Sequence, residues 1–200
     1  MIEKLRPFLA HPMVKGIASV MTGNLAAQLL VIAATPILTR LYGPSDFGVY
    51  GTLLTTISIG ASIASLGLNM AIPKAATDKE ASALAAVSTA TALVAALMLG
   101  VSAYLVMSAG YWRFGAIGPG LASAILALGL FVFTFYGTAL YAAIRLQCYR
   151  WIAIARIVQY GGIVAAQLAL ASVAGAAGLA LGHVIGFAGG ALIEDDVRGI

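Results

Sequence analysis

Long apolar runs alternate along this chain with short turns of Pro, Gly and charged residues, and no stretch shows the apolar–polar alternation of a half-buried strand. The runs read as six helices, about 14–39, 47–72, 81–108, 117–144, 151–173 and 176–193. Most are long enough to cross about 30 Å of hydrocarbon. Polar residues inside the runs keep to one side. On an ideal helix Thr55, Ser58, Ser62, Ser65 and Asn69 fall within roughly 80°. Asn24, Gln28, Thr35 and Thr39 span roughly 60°, as do Thr134, Thr138, Tyr141 and Arg145, whereas Arg156, Gln159, Tyr160 and Gln167 share a face about 100° wide. Such a stripe marks a face turned away from lipid.

The turns carry their own signals. Pro36 predicts a kink in the last turn of the first helix, and Pro73 a stop to the second. In Tyr42-Gly43-Pro44-Ser45-Asp46, Ser45 or Asp46 is placed to cap the second helix. Thr77-Asp78-Lys79-Glu80 has capping-box spacing for the third. Gly118-Pro119-Gly120 opens the fourth. Gly178, Gly182, Gly186 and Gly190 recur every four residues in the sixth, a flat ridge on which another helix can lie.

Composition turns these helices into an integral membrane bundle. Hydrophobic residues make up 62% and charged residues 9% of 200, where soluble domains have about 25% charged. The first run is longer than the roughly 7–15 residues of a signal-peptide core and contains Asn24 and Gln28, so it reads as a retained helix. The single cysteine, Cys148, excludes an intramolecular disulfide. No Cys/His spacing points to a metal, no cofactor is called for, and basic residues flanking apolar spans give no support for nucleic-acid binding.

With the N-terminus in the cytoplasm, that side collects Lys4, Arg6, Lys15, Lys74, Lys79, Arg145, Arg150, Arg156 and Arg198. The other side keeps Arg40 and Arg113. This asymmetry predicts a multi-pass inner-membrane protein with both ends inside. The expected organisation is a basic segment over 1–13, a six-helix lobe over 14–193 and a cytoplasmic tail over 194–200.

Several segments resemble the polysaccharide and oligosaccharide flippases (Wzx-type) of the multidrug/oligosaccharidyl-lipid/polysaccharide superfamily. They are Pro36-Ile37-Leu38-Thr39-Arg40-Leu41-Tyr42, Pro44-Ser45-Asp46-Phe47-Gly48-Val49-Tyr50, and Ala64-Ser65-Leu66-Gly67-Leu68 with Ala71-Ile72-Pro73. Tyr149-Arg150 through Gln167-Leu168, then Gly178-Leu179 with Gly182 and Gly186, continue the likeness. The resemblance implies two six-helix lobes around a central cavity, passing undecaprenyl-diphosphate-linked oligosaccharide between leaflets by alternating access for O-antigen or exopolysaccharide synthesis. This chain carries six spans, so truncation near residue 194 is expected. A homodimer, or a lobe that does not transport alone, is the other option. Two further readings are a lobe that exports cationic drugs and toxins, and a non-transporting membrane scaffold.

An anionic lipid head needs a wet cationic cavity, because bare charge in hydrocarbon is prohibitive. Arg145 and Arg156 are the candidate diphosphate ligands, able to grip oxygens bidentately. The opposing reading makes both interfacial anchors. Asn24, Gln28 and Asn69 are candidates for the sugar-facing wall, against a role as interhelical glue, and Tyr160 and Gln167, on the helix face of Arg156, are further substrate-binding candidates. Arg40 and Asp46 flank the outer turn as a candidate gate pair, against a plain turn-and-cap role. His183 reads as a packing histidine on the glycine ridge or a titrating group. No carboxylate lies inside any of the six runs as drawn, so an ion-coupling site is not visible. No nucleophile–base pair or paired carboxylates appear in the loops, and an enzyme is disfavoured.

Overall fold

The computed structural model describes residues 12–196, with side chains from 16 to 194. Residues 1–11 and 197–200, with Lys4, Arg6 and Arg198, lie outside the described residues, as does the Lys15 side chain. The described residues are helical apart from short turns and an isolated bridge between Phe114 and Ile117. The elements are α1 (Pro12–Leu41), α2 (Pro44–Ala64), a short α3 (Leu68–Ala71) running into a 3-10 turn (Ile72–Lys74), α4 (Asp78–Ser108), α5 (Pro119–Arg145) and α6 (Tyr149–Asp196).

α6 is two antiparallel arms. Gly175, at φ 47° and ψ −135°, breaks it into 149–174 and 176–196. A Cβ added to Gly182 would stand 2.9 Å from the Gln167 nitrogen, and one on Gly186 would stand 2.5 Å from the Gln159 carbonyl oxygen. The glycine ridge therefore seats the second arm directly on the backbone of the first, as close small-residue packing in lipid requires. Among the described residues five helices are long and apolar enough to span a membrane. With the longest folded in two, they give six apolar helical segments.

α5 is the central post, packed against α4, α6 and α2, while α1 lies along α6. Leu53 and Ile57 of α2, Leu126 of α5 and Ala177 of α6 form a core cluster toward the outer end. Ala34, Leu38 and Tyr42 of α1 pack with Val164 and Leu179 of α6 in another. The reversals bring Lys74, Lys79, Arg145 and Arg150 to one end, called inner here, and Arg40 and Arg113 to the other.

Several boundaries differ from expectation. α1 stays helical through Pro36 to Leu41. α2 stops at Ala64 instead of reaching Ile72. Leu66 (φ 48°) and Gly67 (φ 70°) turn left-handed, and the Ser65 hydroxyl takes the Gly67 N–H at 3.4 Å. The α4 cap forms as read, with Thr77 accepting from the Glu80 N–H at 3.2 Å. Glu80 in turn accepts from the Ala76 N–H. Asp46 accepts from the Gly43 N–H at 3.0 Å, back-capping α2.

Candidate functional site

The helix period places Arg156, Gln159 and Tyr160 on one face of the first α6 arm, and the glycine ridge brings the second arm against it. The Arg156 guanidinium lies 5.3 Å over the Tyr136 ring of α5 and donates to the Gln159 side-chain oxygen at 3.3 Å. A guanidinium over a ring face is held without spending its donors, most of which remain for a ligand. Behind it runs an aromatic ladder. Tyr136 meets Phe187 edge-on with ring centres 5.1 Å apart. Phe187 stacks on Phe133 at 4.8 Å and packs against His183 at 4.8 Å. His183 Nδ1 pairs with the Tyr50 hydroxyl at 3.0 Å, so this histidine is a packed, hydrogen-bonded link between α2 and α6.

Arg145 belongs to a different structure. Its guanidinium donates to the carbonyls of Ala75 (2.6 Å) and Ile72 (3.4 Å) and to Asp78 Oδ1 (3.0 Å). Its side chain is 19% exposed while that of Asp78 is 99% exposed. Arg145 is thus a bracket that ties the end of α5 to the 3-10 turn and the start of α4 through two backbone carbonyls and Asp78.

Asn69 leaves the polar stripe of α2, because the left-handed turn at Leu66–Gly67 resets the helical phase. It sits instead where α3 meets α5, and a Cβ on Gly137 would stand 3.2 Å from its Nδ2. Together with Ser62, Ser65, Phe133, Gly137 and Tyr141 it lines a cavity of about 290 Å³. The hydroxyls of Thr55, Ser58 and Ser62 each donate to a carbonyl three or four residues back in their own helix. That arrangement makes a hydroxyl tolerable in lipid without a second helix.

Gln167 is fully engaged in packing. Its side-chain nitrogen donates to the Leu179 carbonyl at 3.0 Å, and its own carbonyl accepts from the Tyr42 hydroxyl at 2.5 Å. Burial, and after it the Asp46 carboxylate, holds the Tyr42 phenol above its ordinary value of 10, so it remains a donor. Arg40 is exposed and forms no ion pair with Asp46, whose carboxylate caps α2. Asn24 and Gln28 are exposed on α1, make no hydrogen bond among the described residues, and line an open groove of about 560 Å³ with Met21 and Leu25. Tyr160 is half-buried in the aromatic cluster around Tyr136.

The structure thus gathers Arg156 and Tyr160, puts Asn69 in a neighbouring cavity, and leaves Asn24 and Gln28 on the separate face of α1. It also brings in three residues that were not among the candidates. The Tyr136 hydroxyl and the Gln159 amide nitrogen are buried with no hydrogen-bond partner among the described residues. Glu194, expected to begin a tail, lies inside α6 and is fully buried. A signal for it was present: the four-residue step through Gly182, Gly186 and Gly190 lands next on Glu194, on the ridge that faces the first arm.

A family model described as polysaccharide biosynthesis protein matches residues 13–194. No curated protein and no solved structure matches the chain.

Proposed function

Because that match makes this chain a member of the polysaccharide biosynthesis protein family, we propose that it forms one wall of a chamber that passes polyprenyl-diphosphate-linked oligosaccharide across the bacterial inner membrane by alternating access. The observation that carries this is Arg156, a guanidinium inside the bundle, over an aromatic face, with donors left for phosphate oxygens. The amides of Asn24 and Gln28 support it. An unsatisfied polar group facing hydrocarbon costs several kcal/mol, so their face is one for water, sugar hydroxyls or a second lobe. That second lobe is a further six-helix half or another copy of this chain. The positive-inside asymmetry supports cytoplasmic termini, with the Arg156 end at the cytoplasmic leaflet where the lipid-linked sugar is made. Work of this kind is translocation rather than catalysis, and it serves O-antigen or exopolysaccharide assembly.

A second reading, export of cationic compounds, gains one observation: the buried carboxylate of Glu194. The Arg156 guanidinium over the Tyr136 ring opposes a cation in this part of the bundle.

The test is flipping of a fluorescent polyprenyl-diphosphate oligosaccharide in proteoliposomes. Arg156→Gln is expected to lower the rate by about tenfold or more and Arg156→Lys by less, since lysine keeps the charge and loses the fork. Flipping at the wild-type rate by a normally inserted Arg156→Gln protein refutes the assignment.

A further inference from the structure

The left-handed turn at Leu66 and Gly67 does more than end α2. It carries Asn69 off the α2 stripe and against α5, and leaves the cavity of about 290 Å³ between them. At about 30 Å³ per water this is the room of roughly ten waters, enough for one sugar ring and too little for a chain of them. Among the described residues no charged group lines it. Arg145, one turn beyond Tyr141, is engaged in the bracket instead. The lining offers hydrogen-bond donors, acceptors and aromatic carbon. The Asn69 side-chain oxygen accepts from the Met70 N–H at 2.9 Å, while its nitrogen has no partner among the described residues. The Tyr141 hydroxyl has none there either. The hydroxyls of Ser62 and Thr134 donate to their own helices at 2.8 and 3.0 Å, so each keeps acceptor capacity for a guest. Phe133 adds apolar surface.

We propose that this cavity between α2, α3 and α5 is a subsite for one neutral sugar ring of the lipid-linked oligosaccharide. The inference rests on the reading of this chain as the wall of an oligosaccharide chamber, and it adds where a ring of the glycan is held. The chemistry of the lining selects the ligand. A sugar hydroxyl both donates and accepts, as this mixed lining requires, and the C–H face of the ring suits the aromatic carbon. A phosphate would find no cation here, and a cation no carboxylate. Phe133 links the cavity to the Arg156 site. It stacks on Phe187 at 4.8 Å, Phe187 meets Tyr136 at 5.1 Å, and the guanidinium lies 5.3 Å over Tyr136. With that row of rings in between, the sugar held in the cavity is one further along the glycan than the ring esterified to the diphosphate. Arg156 then holds the charge, and the cavity reads the glycan.

The test measures saturation-transfer NMR from the protein in nanodiscs to the methyl glycosides of glucose, galactose and N-acetylglucosamine. At least one is expected to bind wild type with a Kd of about 1 mM, the affinity of a small ligand held by a few hydrogen bonds. Asn69→Ala, and Tyr141→Phe, which keeps the ring, should each weaken it by about three- to tenfold. A polyprenyl diphosphate carrying a trisaccharide that ends in that sugar should displace the glycoside, and bare polyprenyl diphosphate should not. In Arg156→Gln the trisaccharide lipid should displace it about tenfold less effectively. No binding of any of the three glycosides, or equal binding by wild type and both cavity variants, overturns the subsite. Displacement by the bare lipid as effective as by the trisaccharide lipid, or none by either, overturns its assignment to a sugar borne by lipid. Equal displacement by the trisaccharide lipid in wild type and Arg156→Gln overturns the reading of Arg156 and leaves the subsite standing.

Discussion

Of the chain reversals that use left-handed backbone, two are held in opposite ways. At the outer end one residue, Gly175, turns α6 back on itself at φ 47° and ψ −135°. That region is the mirror image of extended backbone and is open almost only to glycine. At the inner end Leu66 and Gly67 end α2, and the chain then needs α3, a 3-10 turn and a cap before α4 begins. The outer reversal is held by shape, since the arms touch backbone to backbone along the glycine ridge. The inner one is held by a side chain, the Arg145 bracket. Shape cannot be switched off by a change of rotamer, and a bracket can. The difference predicts a rigid hairpin and places any movement at the inner α2–α4 connection.

The largest expected effect tests the rigid unit. In an open helix, Gly→Ala stabilises by about 0.5–1 kcal/mol because alanine loses less backbone entropy. At Gly186 the sign should reverse. The added Cβ would meet the Ile163 side chain, and also the Ile163 nitrogen at 2.7 Å, which is backbone and cannot rotate away. Overpacking costs typically about 1–3 kcal/mol, so Gly186→Ala should fall in that range and Gly186→Val beyond it, read as thermal unfolding midpoints in detergent. Gly161, on the other arm with nothing within 4 Å of its Cβ position, is the control. Gly161→Ala should be neutral or slightly stabilising. Equal behaviour at the two glycines would deny that the arms rely on close approach.

Much of this architecture was legible in the sequence. The six apolar runs, the α4 cap at Thr77, the break between the last two runs and the glycine ridge all follow from local pattern, and local pattern survives folding. What failed were extrapolations past a left-handed residue. Asn69 was phased onto the α2 stripe by counting 100° per residue, and the count loses meaning at Leu66 and Gly67. Hydropathy drew the last helix to Ile193, because a carboxylate looks like an end of a span. Only the tertiary packing, the second arm of α6 laid on the first along the glycine ridge, explains how Glu194 comes to be buried. For the arginines, spacing gave Arg145 and Arg156 similar standing. The distinction lay in what each meets, carbonyls and Asp78 for one and an aromatic face for the other, and pairings between helices are invisible in one chain's periodicity.

The next effect in size tests the bracket. Hydrogen bonds from a charged donor contribute about 1.5–3 kcal/mol, and Arg145 donates to two carbonyls from a mostly buried position. Arg145→Gln should therefore lower the unfolding midpoint and expose the 65–77 segment to protease from the inner side. Asp78→Asn should do neither to a measurable degree, since the Asp78 carboxylate is solvent-exposed and such pairs are screened. Protease resistance unchanged in Arg145→Gln would show that α3 and the 3-10 turn stand without the bracket.

The smallest effect belongs to a side-chain bond that reinforces the outer end. The Tyr42 hydroxyl donates to the Gln167 carbonyl at 2.5 Å, tying the end of α1 to the first arm of α6. It also sits 3.0 Å from where a Cβ on Gly178 would be, against the second arm. Interhelical hydrogen bonds in membrane proteins average about 0.6 kcal/mol and reach about 1.7. Tyr42→Phe keeps the ring that packs with Leu38, Val164 and Leu179 and loses only the hydroxyl. Its cost should stay within that range and below that of Arg145→Gln. If Tyr42→Phe instead proved the more damaging of the two, the outer end too would depend on a side-chain tie, and the contrast between a shaped reversal and a bracketed one would fail where it is most easily measured.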